Sequence, residues 1–224
     1  KVTSKHLYTE ITLLEVDGLG KKDRVNLWIM DFQREDISLF LPIWAGIPDR
    51  ERVERMVRHN LRAGRRFGGV FGIPCSTGKA RSRAGTGKWV SLPWNAMIAE
   101  GLAGCGLHEE AVHLLGCLMG GVIANLKQHR AFKPRHDAQT GAGGGERNAL
   151  RGLAPLGTFL KVLGVEINPP GRVKLTGKNP FPWPVTVQYK GITVTRREGS
   201  TEVTFPNGQS TLLNDPTQVV VEVE

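Results

Sequence analysis

The fold is decided by residues 89–126, WVSLPWNAMIAEGLAGCGLHEEAVHLLGCLMGGVIANL. Pro93 suits the first turn of a helix, and apolar residues recur at helical spacing from Trp94 to Leu102. The GCGLH turn at residues 104–108 ends this helix, and a second amphipathic helix follows it. Two antiparallel helices joined by a short turn form an αα-hairpin, which we predict here.

A glycine-rich polar loop separates this hairpin from a further helical passage. The loop covers residues 131–147 (AFKPRHDAQTGAGGGER), and the passage that follows, residues 148–165 (NALRGLAPLGTFLKVLGV), predicts a helix over 149–163. Binding groups often lie on loops that a rigid scaffold positions. We therefore predict a packed helical scaffold that presents a binding site along one rim.

Shorter elements are predicted before the hairpin. Asp36 is placed to cap a buried helix within DISLFLPIWAGI (36–47), and Asp49 to cap a helix over 50–64. Alternating apolar residues between positions 6 and 30 predict two strands around a turn.

The composition changes after Asn168. β-branched residues become frequent, and Lys-Gly, Glu-Gly and Asn-Gly pairs interrupt them, which predicts four or five antiparallel strands. The predicted fold class is therefore mainly α, with a helical domain over residues 1–167 and a small antiparallel β module over residues 168–224.

Length and composition indicate a folded protein with a basic surface. The 224 residues are 40% hydrophobic and 23% charged, enough apolar material for one large domain or two smaller ones. The formal net charge of +9 favours anionic partners. The cations are scattered, however, and the dense run from Lys79 to Lys88 lacks interleaved aromatic residues. We predict no nucleic-acid partner. A nucleic-acid-binding function stays an alternative hypothesis, and salt-sensitive DNA binding would show it to be correct.

Cysteine and histidine spacing argues against disulfides and metals. The three cysteines form no CxxC pair, so free thiols in a reducing, cytoplasmic compartment are predicted. His108 and His113 are five residues apart, which is not the i, i+4 spacing of a zinc-binding helix. No apolar run reaches the roughly 18 residues of a membrane span. Neither a metal, a cofactor nor a membrane partner is predicted.

Aromatic residues near loop–helix junctions are the main functional signal. Trp44, Trp89 and Trp94 lie at such junctions, and Asn95 follows the last of them. A pyranose ring is bound by an aromatic face that stacks on its C–H groups and by polar groups that bond its hydroxyls. The alternative is that these tryptophans belong to the core, and the sequence leaves both interpretations open.

Four segments, in this order, resemble the (α/α)6-toroid glycoside hydrolases, the group that includes trehalases, mannosyl-oligosaccharide glucosidase and glycogen-debranching-type glucosidases. The segments are LPIWAGIPDRERVERMV (41–57), RFGGVFGIPC (66–75), KWVSLPWNAMIAEGL (88–102) and AFKPRHDAQTG (131–141). The later stretch NPFPWPVTVQYKGITVTRR (179–197) is similar to a C-terminal strand module of some bacterial members. The resemblance implies the C-terminal half of a partial (α/α)6 toroid with an appended β module.

The resemblance also implies an activity, together with departures from the family pattern. It implies action on an α-linked glucoside or related carbohydrate by an inverting acid/base mechanism. The general base of the family's Phe-x-Glu-x-Tyr-x-x-x-Thr-Gly pattern falls on Pro134, its tyrosine on His136, and a usual serine on Cys75. A proline takes no proton from water. The family's acid belongs to a Gly-Trp-Asp segment that this sequence lacks.

Glu146 is the predicted catalytic residue, because it follows a flexible glycine run and precedes the predicted helix, whose N-terminus favours an ionised carboxylate. The predicted substrate-binding residues are Trp44, Trp89, Trp94, Asn95, Arg135, His136 and Arg147. Predicted partners are a carbohydrate and either an N-terminal toroid half or a second copy of the chain. The alternative function is a non-catalytic carbohydrate-binding or assembly subunit of a split glycosidase.

Overall fold

A computed structural model of the protein divides into two units, Lys1–Phe32 and Gln33–Glu224. The residues that the structure describes are 13, 15–24, 35–62, 65–77, 87–168, 171–214 and 218–223. In the first unit, Asp17 and Gly18 lie in a turn, with Gly18 at a φ of +76°. The two strands predicted around this turn fall outside the described residues.

The second unit begins with two capped helices, as the sequence predicts. The Asp36 carboxylate accepts the backbone N–H of Ser38 at 2.8 Å, and the Asp49 carboxylate accepts that of Arg52 at 2.8 Å. The elements that follow are a 3-10 helix Ile37–Phe40, α1 Leu41–Trp44 and α2 Arg50–Met56, which continues as a π-helical turn Val57–Leu61. Both predicted N-caps are confirmed.

The predicted αα-hairpin is also confirmed. It consists of α3 Leu92–Gly104 and α4 His108–His129. Gly106 closes the connecting turn at a φ of +78°. Helix α1 packs closely on α3, because a Cβ built at Gly101 would lie 2.6 Å from the backbone nitrogen of Trp44.

The third predicted helix is only partly right. The segment over 149–163 instead contains a 3-10 helix Leu150–Gly152 and then α5 Leu156–Leu163. Pro155 lies between them, and a proline disfavours helical geometry in the residue before it. Gly152 also packs against the carbonyl of Lys133, where a Cβ would lie 2.4 Å from the oxygen. Both features interrupt the helix.

Three antiparallel sheets account for the largest error in the sequence prediction. A small sheet pairs β1 Trp89–Val90 with β2 Arg135–Asp137, and β2 with β3 Gly143–Gly144. The two larger sheets contain the strands β4 Val165–Asn168, β5 Arg172–Thr176, β6 Val185–Tyr189, β7 Ile192–Arg197, β8 Ser200–Thr204, β9 Ser210–Asn214 and β10 Gln218–Glu222. The strand order is β10-β5-β4 in one sheet and β6-β7-β8-β9 in the other.

The mainly α prediction is therefore wrong, and with it the partial (α/α)6 toroid. Helix makes up 36% of the structure and strand 24%, which is a mixed composition rather than a helical one. The described residues after Asn168 form six strands, β5–β10, rather than four or five, because β5 and β6 both lie before the first predicted turn at Lys190-Gly191. Within the described residues, none of the helices combines the length and apolar character needed to span a membrane.

Among the residues that the structure describes, the buried apolar side chains form two clusters. The first lies among the helices and contains Val53, Ile98, Leu115 and Leu118. The second lies among the strands β4–β10 and contains Leu175, Ile192, Val194 and Val203. Helix α5 contributes to both, with Val162 in the first and Leu163 in the second. The predicted domain boundary between residues 167 and 168 stays a prediction.

Candidate functional site

The small sheet gathers the sequence segments that carry the family resemblance. Trp89 pairs with Asp137, and Arg135 pairs with Gly144. Paired residues of an antiparallel ladder lie on the same face, as do residues two apart in one strand. One face of the sheet therefore carries Trp89, Arg135, Asp137 and Gly144, and we call it the Trp89 face.

The loop over residues 65–77 and the first 3-10 helix join this sheet through backbone hydrogen bonds. The N–H of Cys75 donates to the carbonyl of Trp89 at 2.8 Å, and the N–H of Ile37 donates to the carbonyl of Cys75 at 2.9 Å. The N–H of Phe71 donates to the carbonyl of Ala138 at 2.9 Å. Segments far apart in the chain are thereby fixed against one another around the small sheet.

Two cations lie against the Trp89 ring. The guanidinium carbon of Arg135 lies 4.7 Å from the ring centroid, and the Lys88 Nζ lies 5.1 Å from it. Gly144 allows this close packing, since a Cβ there would lie 2.9 Å from the Cη2 of Trp89. Cation–π contacts of this kind fix the indole and the guanidinium in one arrangement.

The Asp137 carboxylate holds the loop beside the Trp89 face. It pairs with Lys88 at 3.0 Å and accepts the backbone N–H groups of Gln139 at 2.9 Å and Thr140 at 3.0 Å. Burial on its own raises the pKa of Asp137, but these hydrogen bonds and the Lys88 charge outweigh it and lower the pKa below its usual value. Asp137 is therefore an ionised acceptor at neutral pH and a poor proton donor.

His136 faces the opposite side of the sheet from Trp89. Its side chain is 1% exposed, and its Nε2 lies 2.8 Å from the carbonyl oxygen of Phe71. Because a carbonyl only accepts, Nε2 carries the proton. Burial lowers the pKa of His136, so the ring is neutral at physiological pH. The ring also packs on Gly121 of α4, where a Cβ would lie 2.6 Å from Nε2.

Trp94 lines a cavity next to the small sheet. The cavity has a volume of about 300 Å3 and is lined by Asp36, Ile37, Ser38, Cys75, Ser91 and Trp94. The Trp94 side chain is 38% exposed, so part of the indole is open to a ligand. Burial raises the pKa of Cys75, with a smaller rise from the Asp36 charge, and outweighs the lowering by the backbone hydrogen bond with Ser91 and by the Arg135 charge. Cys75 is therefore a protonated thiol and a weak nucleophile at neutral pH.

Asn95 is buried and bonded to the backbone. Its Oδ1 accepts the N–H of Ile73 at 2.8 Å, and its Nδ2 donates to the carbonyl of Ile73 and to that of Ser91, each at 3.0 Å. This amide fastens the Gly72–Pro74 turn to α3. Gly72 has a φ of +121° there, which is a backbone conformation that suits glycine.

Trp44 lies in a separate hydrogen-bonded cluster. Its side chain is half exposed and hydrogen-bonds the carboxylate of Glu100 on α3. Glu100 also accepts from the Thr158 hydroxyl at 2.8 Å and from Lys161 at 3.0 Å. Trp44 therefore helps to join α1, α3 and α5.

Glu146 and Arg147 are exposed residues that follow β3. Arg147 donates from Nη2 to the carbonyl of His129, at 3.2 Å, near the end of α4. Glu146 has no cation within ion-pair distance in the described part of the chain. The helix dipole expected to support it is absent, because α5 begins at Leu156. The position of the family's base is filled by Pro134, which is buried under Gly145.

Lys88 and Asp137 complete the Trp89 face, although neither belongs to the predicted site. The DAQTG sequence over residues 137–141 carries a usable signal for Asp137, since an Asp side chain often bonds the backbone N–H two residues on in such a turn. Lys88 offers no local signal, because its partner Asp137 is distant in the chain. Within the described ranges, no group of three or more His, Cys, Asp or Glu residues is arranged to hold a metal.

The groups on the Trp89 face can stack, donate hydrogen bonds and accept them. It offers an indole, two cationic donors and a fixed carboxylate acceptor within one small area. These are the groups that recognise a pyranose with its hydroxyls. A pair of carboxylates with separated pKa values, which glycoside cleavage requires, is not formed by Asp137 and its described neighbours.

Comparison with known proteins adds information on the fold. No protein-family model and no curated protein matches the chain. One similar solved structure is the GH63 mannosylglycerate hydrolase from Thermus thermophilus in complex with glucose. It is 24% identical, with 57% of this chain and 31% of that chain covered, and the TM-score is 0.42, from which we draw no conclusion.

A second solved structure is a sialidase. It is 10% identical, with 84% of this chain and 20% of that chain covered, at a TM-score of 0.53. The chain thus spans about a third of the length of the hydrolase and about a fifth of the length of the sialidase. At this identity the second likeness concerns the fold alone, and the conclusion is that this chain shares its fold with part of a sialidase.

Proposed function

We propose that this chain is a glycoside hydrolase-like protein that binds an α-linked glucoside or related carbohydrate at the Trp89 face. The observation that carries the proposal is the meeting of three segments on one small sheet. The segments are RFGGVFGIPC, KWVSLPWN and AFKPRHDAQTG. The hydrogen bond from the N–H of Cys75 to the carbonyl of Trp89 joins the first two, and the hydrogen bond from the N–H of Ala138 to the carbonyl of Lys88 joins the last two. The first of these segments resembles a cleft loop of the trehalase and debranching-type glucosidase group, the second resembles its Trp-containing entry to a helix, and the third resembles its Phe-x-Glu-x-Tyr-x-x-x-Thr-Gly pattern.

In this proposal the tryptophans supply the stacking surfaces. Trp89 is held by Arg135 and Lys88, and Trp94 presents its exposed part to the neighbouring 300 Å3 cavity. Asp137 and the two cations bond sugar hydroxyls. Asn95 and His136 position this site through the backbone of Ile73 and Phe71, since both side chains are buried.

Hydrolysis by an inverting mechanism requires a base and an acid on opposite sides of the glycosidic bond. We propose Glu146 as the base, with the acid supplied by another part of the complete protein. Glu146 follows Gly144, which packs on the Trp89 ring, by two residues. Gly145 turns the chain between them at a φ of +92°. Arg147 is the neighbouring donor for a sugar hydroxyl.

A second candidate is a non-catalytic carbohydrate-binding or assembly subunit. It is favoured by the buried Pro134 at the expected base position and by the Lys88 ion pair that keeps Asp137 ionised. Exposed apolar side chains at Leu39, Trp44 and Ile47 support association with a partner chain or a second copy.

Calorimetric titration with maltose and trehalose separates these functions. We expect Trp89→Ala to weaken binding by about 1–3 kcal/mol, the scale of one buried aromatic contact. If the intact chain binds neither sugar, the proposal is wrong. The hydrolysis assay uses the complete protein, which supplies the acid. Release of glucose by it that falls by a factor of about 10²–10⁴ in Glu146→Gln supports hydrolysis, whereas sugar binding by the complete protein without glucose release selects the non-catalytic subunit.

A further inference from the structure

A wide groove runs along the second unit between its helical part and the strands β4–β10. It has a volume of about 2190 Å3. One side is formed by α2, the start of α4 and α5, and the other by β4, β5 and the loop over residues 177–184. Pockets for small molecules have volumes of about 300–1,000 Å3. The groove is therefore large enough for a chain of several linked units.

An exposed tryptophan stands on one side of this groove. The Trp183 side chain is 52% exposed, whereas Phe181 beneath it is buried. The two ring centroids are 5.6 Å apart at an interplanar angle of 34°, and Phe181 stacks in turn on Phe159 of α5 at 4.9 Å and 27°. The three aromatic rings pack in a row from Phe159 on α5 to the half-exposed indole of Trp183.

Two prolines and the hydrogen bonds of one asparagine restrict the conformation of the loop that carries Trp183. Pro182 and Pro184 flank the tryptophan and fix two φ angles. Asn179 bonds both ends of the loop, because its Nδ2 donates to the carbonyl of Trp183 at 2.9 Å and its Oδ1 accepts the N–H of Phe181 at 3.1 Å. A surface that is already fixed loses little conformational entropy when a ligand stacks on it.

Polar groups and charges in the groove fit an uncharged ligand. Lys178 and Glu198 are exposed, line the same groove and form no ion pair with any described residue, so both can bond sugar hydroxyls. Cations on α2 are partly neutralised, as in the Arg50–Glu54 pair at 2.9 Å. Seven cationic and five acidic side chains line the groove, so both signs are present and the excess of positive charge is small, whereas an anionic or cationic ligand is favoured by one dominant sign.

A proline-rich peptide is the competing occupant. Peptides of that type dock between several aromatic side chains and receive hydrogen bonds from the groove. Here one indole is exposed, and the prolines on either side of it have no N–H to donate. The C–H face of a pyranose requires only the flat, fixed ring.

We propose that this groove is a second glycan-binding site, in which Trp183 stacks on an uncharged chain of α-linked glucose units. The inference rests on the proposed carbohydrate-binding function and adds to it a site for the polymer, separate in residues from the Trp89 face. A chain held by Trp183 stays near the protein while a terminal unit occupies the first site.

Calorimetric titration with maltoheptaose tests this site, with Tyr189→Ala as the matched control. Tyr189 is also a half-exposed aromatic residue of the β-strands, at 49%, but it does not line the groove. We expect Trp183→Ala to weaken maltoheptaose binding about tenfold to a hundredfold, the size of one lost aromatic contact. Tyr189→Ala leaves the affinity unchanged, and Trp183→Phe retains most of it while confirming that the loop folds.

The Trp89→Ala variant separates this inference from the proposed function. We expect that variant to lose maltose binding and to keep most of its affinity for maltoheptaose. Unchanged maltoheptaose binding in Trp183→Ala, or an equal loss in Tyr189→Ala, overturns the groove site and leaves the Trp89 face standing. A proline-rich decapeptide that binds in a Trp183-dependent manner, with no maltoheptaose binding, also overturns it. A wild-type chain that binds neither maltose nor maltoheptaose refutes both proposals.

Discussion

Asp137 gives the sharpest test of how the Trp89 face is built, because two substitutions there remove different interactions. Asp137→Ala removes the ion pair with Lys88 and both hydrogen bonds from Gln139 and Thr140. Asp137→Asn keeps an oxygen that can accept the two backbone N–H groups and removes the charge. The difference in the free energy of unfolding between the two variants therefore measures the contribution of the two turn hydrogen bonds. The difference between wild type and Asp137→Asn measures the contribution of the ion pair.

The structure sets the size of both effects. Hydrogen bonds to a charged group contribute about 1.5–3 kcal/mol each, and the two N–H groups of the Ala variant regain water in part, so we expect a loss of about 2–4 kcal/mol in the free energy of unfolding. The Lys88 side chain is 49% exposed. Solvent screening limits such a pair to about 0.5–1 kcal/mol, which is the loss expected for Asp137→Asn.

The pH dependence follows from the direction of the pKa shift. The pKa of Asp137 is lowered in the folded protein, so its ionisation stabilises the fold above the unfolded pKa of about 3.9. This contribution is lost as the pH falls through the folded pKa. The advantage of wild type over Asp137→Asn should therefore be full at pH 7 and should disappear in strong acid.

Urea unfolding at pH 7 and at pH 3, followed by far-UV circular dichroism, measures these differences. Maltose titration of the same variants reports on the site, and we expect the Ala variant to bind more weakly because its loop no longer holds Arg135 and Lys88 at the indole. Equal stability of the Ala and Asn variants, or a gap between wild type and Asn that persists unchanged in acid, refutes the reasoning.

Three further predictions concern the scaffold. Arg196 is fully buried and donates to the carbonyl of Leu163 at the C-terminal end of α5 and to that of Thr176 in β5. Arg196→Met should therefore cost about 3–5 kcal/mol in unfolding by urea, against less than about 1 kcal/mol for its exposed neighbour in Arg197→Met, and equal losses contradict this. Asn95→Ala should cost about 2–4 kcal/mol, because the N–H and C=O groups that it bonds stay buried without partners, and a loss within error of zero contradicts it. Burial raises the pKa of Glu100, but hydrogen bonds from Lys161, Thr158 and Trp44 lower it overall, so its ionisation stabilises the fold above its unfolded pKa. Glu100→Gln should therefore lose stability at pH 7 and approach wild type at low pH, and a constant gap across that range would count against the assignment.

Local signals in the sequence predicted the elements that depend on a few neighbouring residues. The caps at Asp36 and Asp49 and the turn at Gly106 follow from side-chain chemistry within three or four positions, and the structure has them. The αα-hairpin follows from apolar spacing within each helix.

Features that depend on distant segments were not predictable in the same way. The small sheet pairs Trp89 with Asp137 across nearly fifty residues, and its strands are two or three residues long. The pairing register decides that Asp137 lies beside the indole and that His136 lies on the opposite face. The break before α5 has one local cause, Pro155, and one distant cause, the packing of Gly152 against Lys133, which no local pattern shows.

The same distinction between local and distant determinants applies to the candidate site. Trp89 and Arg135 were predicted separately from their residue types, and the structure places them 4.7 Å apart. Asn95 and Trp44 carry equally suitable side chains, but their hydrogen bonds go to the Ile73 backbone and to Glu100. Residue type thus indicates which side chains suit a sugar, whereas the fold decides which of them are free to bind it.

NMR of the indole N–H groups tests the central claim most directly, because the chain has five tryptophans and each gives one signal in a 15N-labelled sample. The signals can be assigned with single Trp→Phe variants and then followed during titration with maltose. The account predicts that the signals of Trp89 and Trp94 shift with one common dissociation constant while that of Trp44 stays in place. A shift confined to Trp44, or no shift of the Trp89 signal at saturating sugar, would contradict it.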